Sequence, residues 1–298
     1  MEQKQIERNA LVITTIINAI ITCSGIYIYI ITDLQALLLD SFFSLIALIS
    51  TISAIVISKI SIRKTKYYPQ GLYFLEPLYA VIKSILSISL MFIALITSSQ
   101  TAYMYFVHGK GEIMNIEPLL PYSLFMTILC IGLSFYNNKQ NKKINNTSTI
   151  LLAESKTNLI DGLQSFGIGI GILLLKAIPV DSSLGFLYYT GDFFITAILV
   201  ITSIKEPISV LISSFLELTS GVTKEQSINE TINYCLVKYF ENKVPKYYIF
   251  KKGMKINVYI YINDKTTQLY NKDLNIIRNK IVQDLMIKYE HIEIVFIV

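Results

Sequence analysis

Apolar residues collect in the first two-thirds of the chain, in runs separated by short polar loops. A helix needs about 20 mostly apolar residues to cross a bilayer. Six runs meet that length, near residues 10–32, 34–60, 75–99, 117–136, 150–177 and 184–204. The first follows Lys4 and Arg8, as a secretory signal would, but it is longer than a signal's apolar region and lacks a small-x-small cleavage site, so it reads as the first span. From about residue 205 charges return throughout, and Pro207 marks the expected exit from the membrane. Residues 223–243 read as an amphipathic helix. KYYIFKKGMKINVYIYIND, residues 246–264, reads as two strands around a turn at Lys252-Gly253, because β-branched and Tyr side chains favour extension. Helical spacing resumes over 266–289 through Leu269, Leu274, Ile277, Ile281 and Leu285, and 291–298 reads as a strand. The pattern therefore predicts a membrane all-α six-helix bundle over 1–206. It is followed over 207–298 by a ferredoxin-like α+β domain of order αββαβ.

Charge sets the expected orientation, since Lys and Arg in short loops favour the cytoplasmic side. Lys4 and Arg8 precede span 1, Lys59, Arg63, Lys64 and Lys66 follow span 2, and Lys139, Lys142 and Lys143 follow span 4. The alternate loops offer Asp33, Lys110, Glu112, Glu117 and Asp181, so a multi-pass protein of the cell membrane with both termini in the cytoplasm is expected. The net charge of +5 is accounted for by this asymmetry and calls for no nucleic-acid partner. Charged residues make up 16% of the chain, well under the roughly 25% of soluble domains. Cys23, Cys130 and Cys235 are too scattered for a disulfide framework or a structural zinc site. No nucleotide loop, catalytic triad or redox cysteine pair is present, which argues against an enzyme. An apolar terminal strand with one unpaired edge is a candidate contact for a homodimer.

The chemistry lies among polar residues within the apolar runs, where acids are costly and usually functional. Asp40 sits in ALLLDSFFSLIALIS and Asp161 in LLAESKTNLIDGLQSFGIGIG. On a helix, Asp40, Ser44, Ala47 and Thr51 share one face, and Glu154, Asn158, Asp161 and Ser165 share another, with Thr157 one turn before Asp161. Spans 2 and 5 run in opposite directions, so Ser44 and Thr157 each lie one turn to the cytoplasmic side of their aspartate. Aspartates at one level put the hydroxyls at one level too. Four oxygen-bearing side chains, two of them carboxylates, suit a divalent cation, whose charge makes buried acids tolerable. Glu154 and Asn158 are auxiliary candidates, though Glu154 also reads as an interfacial residue near a helix start. Asn18, Thr22 and Gly25 read as a packing seam, and Gly167, Gly169 and Gly171 as places where helices approach closely.

With these residues, YYPQGLYFLEPL at 67–78 and Glu217 in SFLEL, the chain resembles the cation diffusion facilitator family of divalent-metal/proton antiporters. The resemblance extends over nearly the whole chain and implies six spans, cytoplasmic ends and paired cytoplasmic domains. It matches residues 67–78 to the family's aromatic-Pro-x-Gly…Glu motif entering span 3, and Glu217 to an acid linking the last span to the soluble domain. The family's transport site has two ligands four apart on span 2 and two on span 5. Asp40 and Asp161 fill one position of each pair, and Ser44 and Thr157 fill the others. Imidazole is missing from that set, as His108 falls in an outer loop and His291 in the soluble domain, where Tyr259 and Val295 stand near the places of family histidines. The resemblance thus implies a secondary transporter exporting Mn²⁺, Fe²⁺, Co²⁺ or Zn²⁺ against protons, with no resident cofactor. Its alternative is a transport-inactive relative that serves as a dimer partner or sensor.

Overall fold

The computed structural model describes residues 2–32, 35–109, 119–179, 182, 184–240, 244–262 and 274–297, without the side chains of 31, 32 and 35–43. Seven helices come first: α1 (Glu2–Thr32), α2 (Gln35–Ile60), α3 (Leu75–His108), α4 (Leu119–Lys143), α5 (Thr149–Lys176), α6 (Leu187–Ser203) and α7 (Lys205–Leu218). The soluble part follows as α8 (Gln226–Phe240), β1 (Tyr247–Lys252), β2 (Lys255–Tyr261), α9 (Leu274–Met286) and β3 (Ile292–Ile297).

The bundle is apolar outside and, beside its apolar clusters, buries polar residues inside. Ile16, Ile96, Ile128 and Ile201 are exposed, while Thr14, Thr51, Ser98 and Ser134 are buried. Lipid tails solvate the isoleucines, and small hydroxyl residues let helices approach and return their protons to the backbone one turn earlier, as Thr14 does to the Ala10 carbonyl at 3.0 Å. Gly167 and Gly171 of α5 serve the same end, since a Cβ there would lie 2.7 Å from Leu199 and 2.0 Å from Ile195 of α6.

Among the described residues, five helical stretches are long and apolar enough to cross a membrane: α1, α3, α4, α5 and Leu187–Leu218. The described apolar part of α2, Ser44–Ile60, is shorter, because the side chains of 35–43 lie outside the described residues, so five of the six expected spans meet that length among the described residues. The last stretch also differs from the expected exit at Pro207. Proline is tolerated in a first helical turn because the N–H it lacks has no intrahelical partner there. Pro207 occupies the first turn of α7, and the apolar helix runs on to Leu218.

In the soluble part β2 pairs antiparallel with β1, Tyr248 opposite Tyr259, and parallel with β3, Ile256 opposite Ile292. A parallel neighbour needs a crossover, which α9 supplies. Ile256, Val258 and Ile260 alternate inward along β2 and meet Ile228, Ile232 and Leu236 of α8 and Ile281 and Leu285 of α9. The αββαβ order is present, but a full ferredoxin-like unit has four strands, and among the described residues the sheet has three.

The β1–β2 turn is where this sheet meets the helices. Gly253 has φ +57°, and a Cβ on it would lie 2.4 Å from Oε2 of Glu76 at the start of α3. Gly253→Ala should therefore cost about 1–3 kcal/mol from left-handed backbone strain and the clash together. It should lower the thermal midpoint in detergent and expose the soluble domain to protease. Unchanged melting and cleavage would show that the turn is not seated on Glu76.

Candidate cation site

A cavity of about 170 Å³ lies within the bundle. Water takes up roughly 30 Å³ per molecule in the liquid, so the space admits an ion with part of its hydration shell. Ser44 of α2 and Thr157, Asn158, Asp161 and Ser165 of α5 line it, facing Lys83 and Met91 of α3, with Asn18 of α1 at one side. Three of the four expected ligands, Ser44, Thr157 and Asp161, thus share one cavity. The fourth, Asp40, belongs to α2, and its side chain lies outside the described residues.

Helix geometry commits the hydroxyl protons. Thr157 donates to the Ala153 carbonyl at 2.9 Å and Ser165 to that of Asp161 at 3.0 Å, leaving oxygen lone pairs as what these side chains offer an ion. Neither His108 nor His291 is among the lining residues. Among the described residues no three His, Cys, Asp or Glu side chains gather as a metal cluster. The oxygen chemistry on offer is carboxylate, hydroxyl and amide, which suits hard or borderline dications, and the sulfurs of Met91, Met126 and Cys130 lie on the same lining.

Toward the soluble domain, two turns before Asp161, Glu154 closes the polar face of α5. It is 0% exposed, and its Oε1 accepts from both Lys83 Nζ and the Tyr79 hydroxyl. Tyr79 also meets Ser50 of α2 at 3.1 Å. Thr51 Oγ1 stands 3.5 Å from Glu154 Oε2 and accepts from Asn18 Nδ2 at 2.9 Å, so the expected seam at Asn18 joins α1 to α2. Lys83 is the residue that sequence reasoning missed. An ammonium within the apolar run YAVIKSILSISL was its available signal, because a charge there calls for a partner. Between Glu154 and Asp161, Asn158 is buried, and its Nδ2 has no hydrogen-bond partner among the described residues.

A second polar cluster joins the bundle to the sheet. Glu76, from the segment 67–78, takes a bond from Lys4 of α1 at 2.7 Å and one from the Met254 N–H at 3.1 Å. Glu217 accepts from Lys251 Nζ at 2.8 Å, the Thr149 hydroxyl at 2.7 Å and the Gly253 N–H at 3.2 Å. Burial disfavours the Lys251 ammonium, but the Glu217 and Glu225 carboxylates outweigh it and hold its pKa above the ordinary lysine value. His291 packs against the Tyr73 ring, centroids 5.3 Å apart, and burial pushes its pKa below the ordinary 6.5. The acid expected to link the last span to the soluble domain is thus in contact with both.

A comparison with curated proteins finds no match. The family model described as the cation efflux transmembrane domain matches residues 11–219, which take in most of α1 and all of α2 through α7. That match spans more than half of the chain, and with it the protein belongs to the cation efflux, or cation diffusion facilitator, family.

Proposed function

We propose that this member of a family of membrane metal transporters exports a divalent cation from the cytoplasm in exchange for protons, with Asp40, Asp161, Ser44 and Thr157 as the ligands of the transported ion. The observation that carries the reading is the meeting of Ser44, Thr157 and Asp161 on one cavity inside an apolar bundle. A carboxylate in such a place must be neutralised in every state of the cycle. A dication does this in one state and protons do it in the other, which makes antiport the economical cycle. The excess of Lys and Arg beside spans 2 and 4 supports cytoplasmic termini in the cell membrane. The small soluble domain, with its apolar terminal strand, supports a homodimer paired through that domain.

Cation uptake into inverted vesicles, measured over a metal panel with and without a pH gradient, tests the proposal. Flux that the gradient drives supports it. Absent flux in protein that still binds the ion would leave the sensor or dimer-partner role in its place. The oxygen shell should favour Mn²⁺, Fe²⁺ or Co²⁺ relative to relatives that carry an imidazole, although intrinsic affinity still ranks zinc above manganese. Thr157→His should move preference toward Zn²⁺, and calorimetry showing unchanged relative affinities would remove Thr157 from the shell.

A further inference from the structure

We propose that Lys83 is a tethered competitor of the transported cation: its ammonium reaches from the cavity lining to Glu154, which lies beyond the cavity on the side of the soluble domain, and a dication arriving from that side must take that carboxylate from it. The inference rests on the transport reading above and adds to it a step that sets how readily the ion enters and leaves.

Three observations converge on it. Lys83 bonds Glu154, and it also lines the cavity that Asp161 lines, so ammonium and cargo share one small space. Like charges so confined repel. Glu154 is wholly buried and Lys83 nearly so, and a buried acid that loses its counter-ion is strongly disfavoured. The pair therefore opens only when another cation takes over, and a dication brings one positive charge more than the ammonium removes. Finally, Glu154, Asn158 and Asp161 form a ladder on one face of α5, with about 10 Å of helix rise between the two acids. Asn158 is its middle rung, buried between the two acids and lining the cavity.

As a structural strut alone, Lys83 would be neutral toward cation binding. As a competitor, it lowers the affinity of the loaded cavity and so keeps the ion from being trapped there.

Equilibrium binding of Mn²⁺ to the purified full chain in detergent, followed by calorimetry, tests this separately from flux. Lys83→Gln should bind Mn²⁺ about 10-fold more tightly than wild type or better, because the repelling charge is gone. Lys83→Arg should bind it more weakly, because a guanidinium grips a carboxylate through two bonds and yields it less readily. The arginine variant keeps the ion pair, so it carries the test if Lys83→Gln does not fold. Mn²⁺ affinity that is unchanged in Lys83→Arg, or unchanged or weaker in folded Lys83→Gln, overturns the proposal. A wild-type protein that binds Mn²⁺ and moves none defeats the transport reading, while the binding order of the variants still decides the role of Lys83.

Discussion

Asp161→Asn is expected to abolish cation flux while the protein still assembles in the membrane. The substitution keeps the side-chain volume and one oxygen, so the packing of α5 against its neighbours is preserved. What it removes is a negative charge beside the cavity shared with Ser44 and Thr157. One unit pair of charges about 4 Å apart is worth roughly 4 kcal/mol at an effective dielectric constant of about 20, and a dication doubles the stake. A loss of at least about three orders of magnitude in affinity follows, enough to silence transport at micromolar ion. Asp40→Asn should do the same if the two acids act together. Flux into inverted vesicles, paired with gel filtration to confirm assembly, reads the result. Wild-type flux in both variants would remove the site assignment altogether.

Helical spacing alone put Glu154, Asn158, Asp161 and Ser165 on one face, with Thr157 one turn before Asp161, and the direction of spans 2 and 5 put Ser44 at the level of Thr157. Both inferences concern one helix at a time, or two helices whose direction the loops dictate, and such geometry is written in the order of residues. The Lys83–Glu154 pair is of another kind. The two residues lie in different runs, and only the packing of α3 against α5 shows that they answer one another. Pro207 misled for a related reason: the residue that breaks a helix interior is at home in a first turn, and sequence does not say which of the two it occupies. In the soluble part the turn at Lys252-Gly253 was legible from its glycine, as were the strands it joins. Its seating between Glu76 and Glu217 was not, since backbone N–H groups leave no trace in residue identity. The link through Glu217 was reachable only through resemblance to the family.

That seating gives the second large effect. Glu217→Leu should destabilise the protein by about 3–5 kcal/mol, because it strands a buried ammonium. Lys251 is 1% exposed, and without Glu217 its remaining partners are the Thr149 hydroxyl at 3.1 Å and Glu225 at 4.0 Å. The same change orphans the Gly253 N–H and the Thr149 hydroxyl, both of which donate to Glu217. The β1–β2 turn then loses its hold on α7 and keeps only its bond from Met254 to Glu76, so the soluble domain should loosen from the bundle before the bundle melts. Removing both charges is the discriminating control. Glu217→Leu with Lys251→Met leaves no buried charge behind and should recover most of the lost stability, since apolar residues of similar volume often replace a buried pair at little cost. Thermal unfolding in detergent, with protease cleavage between residues 219 and 225 as the local readout, separates the two variants. A single variant that melts and resists cleavage like wild type would show that the Lys251–Glu217 pair does not hold the soluble domain to the helices.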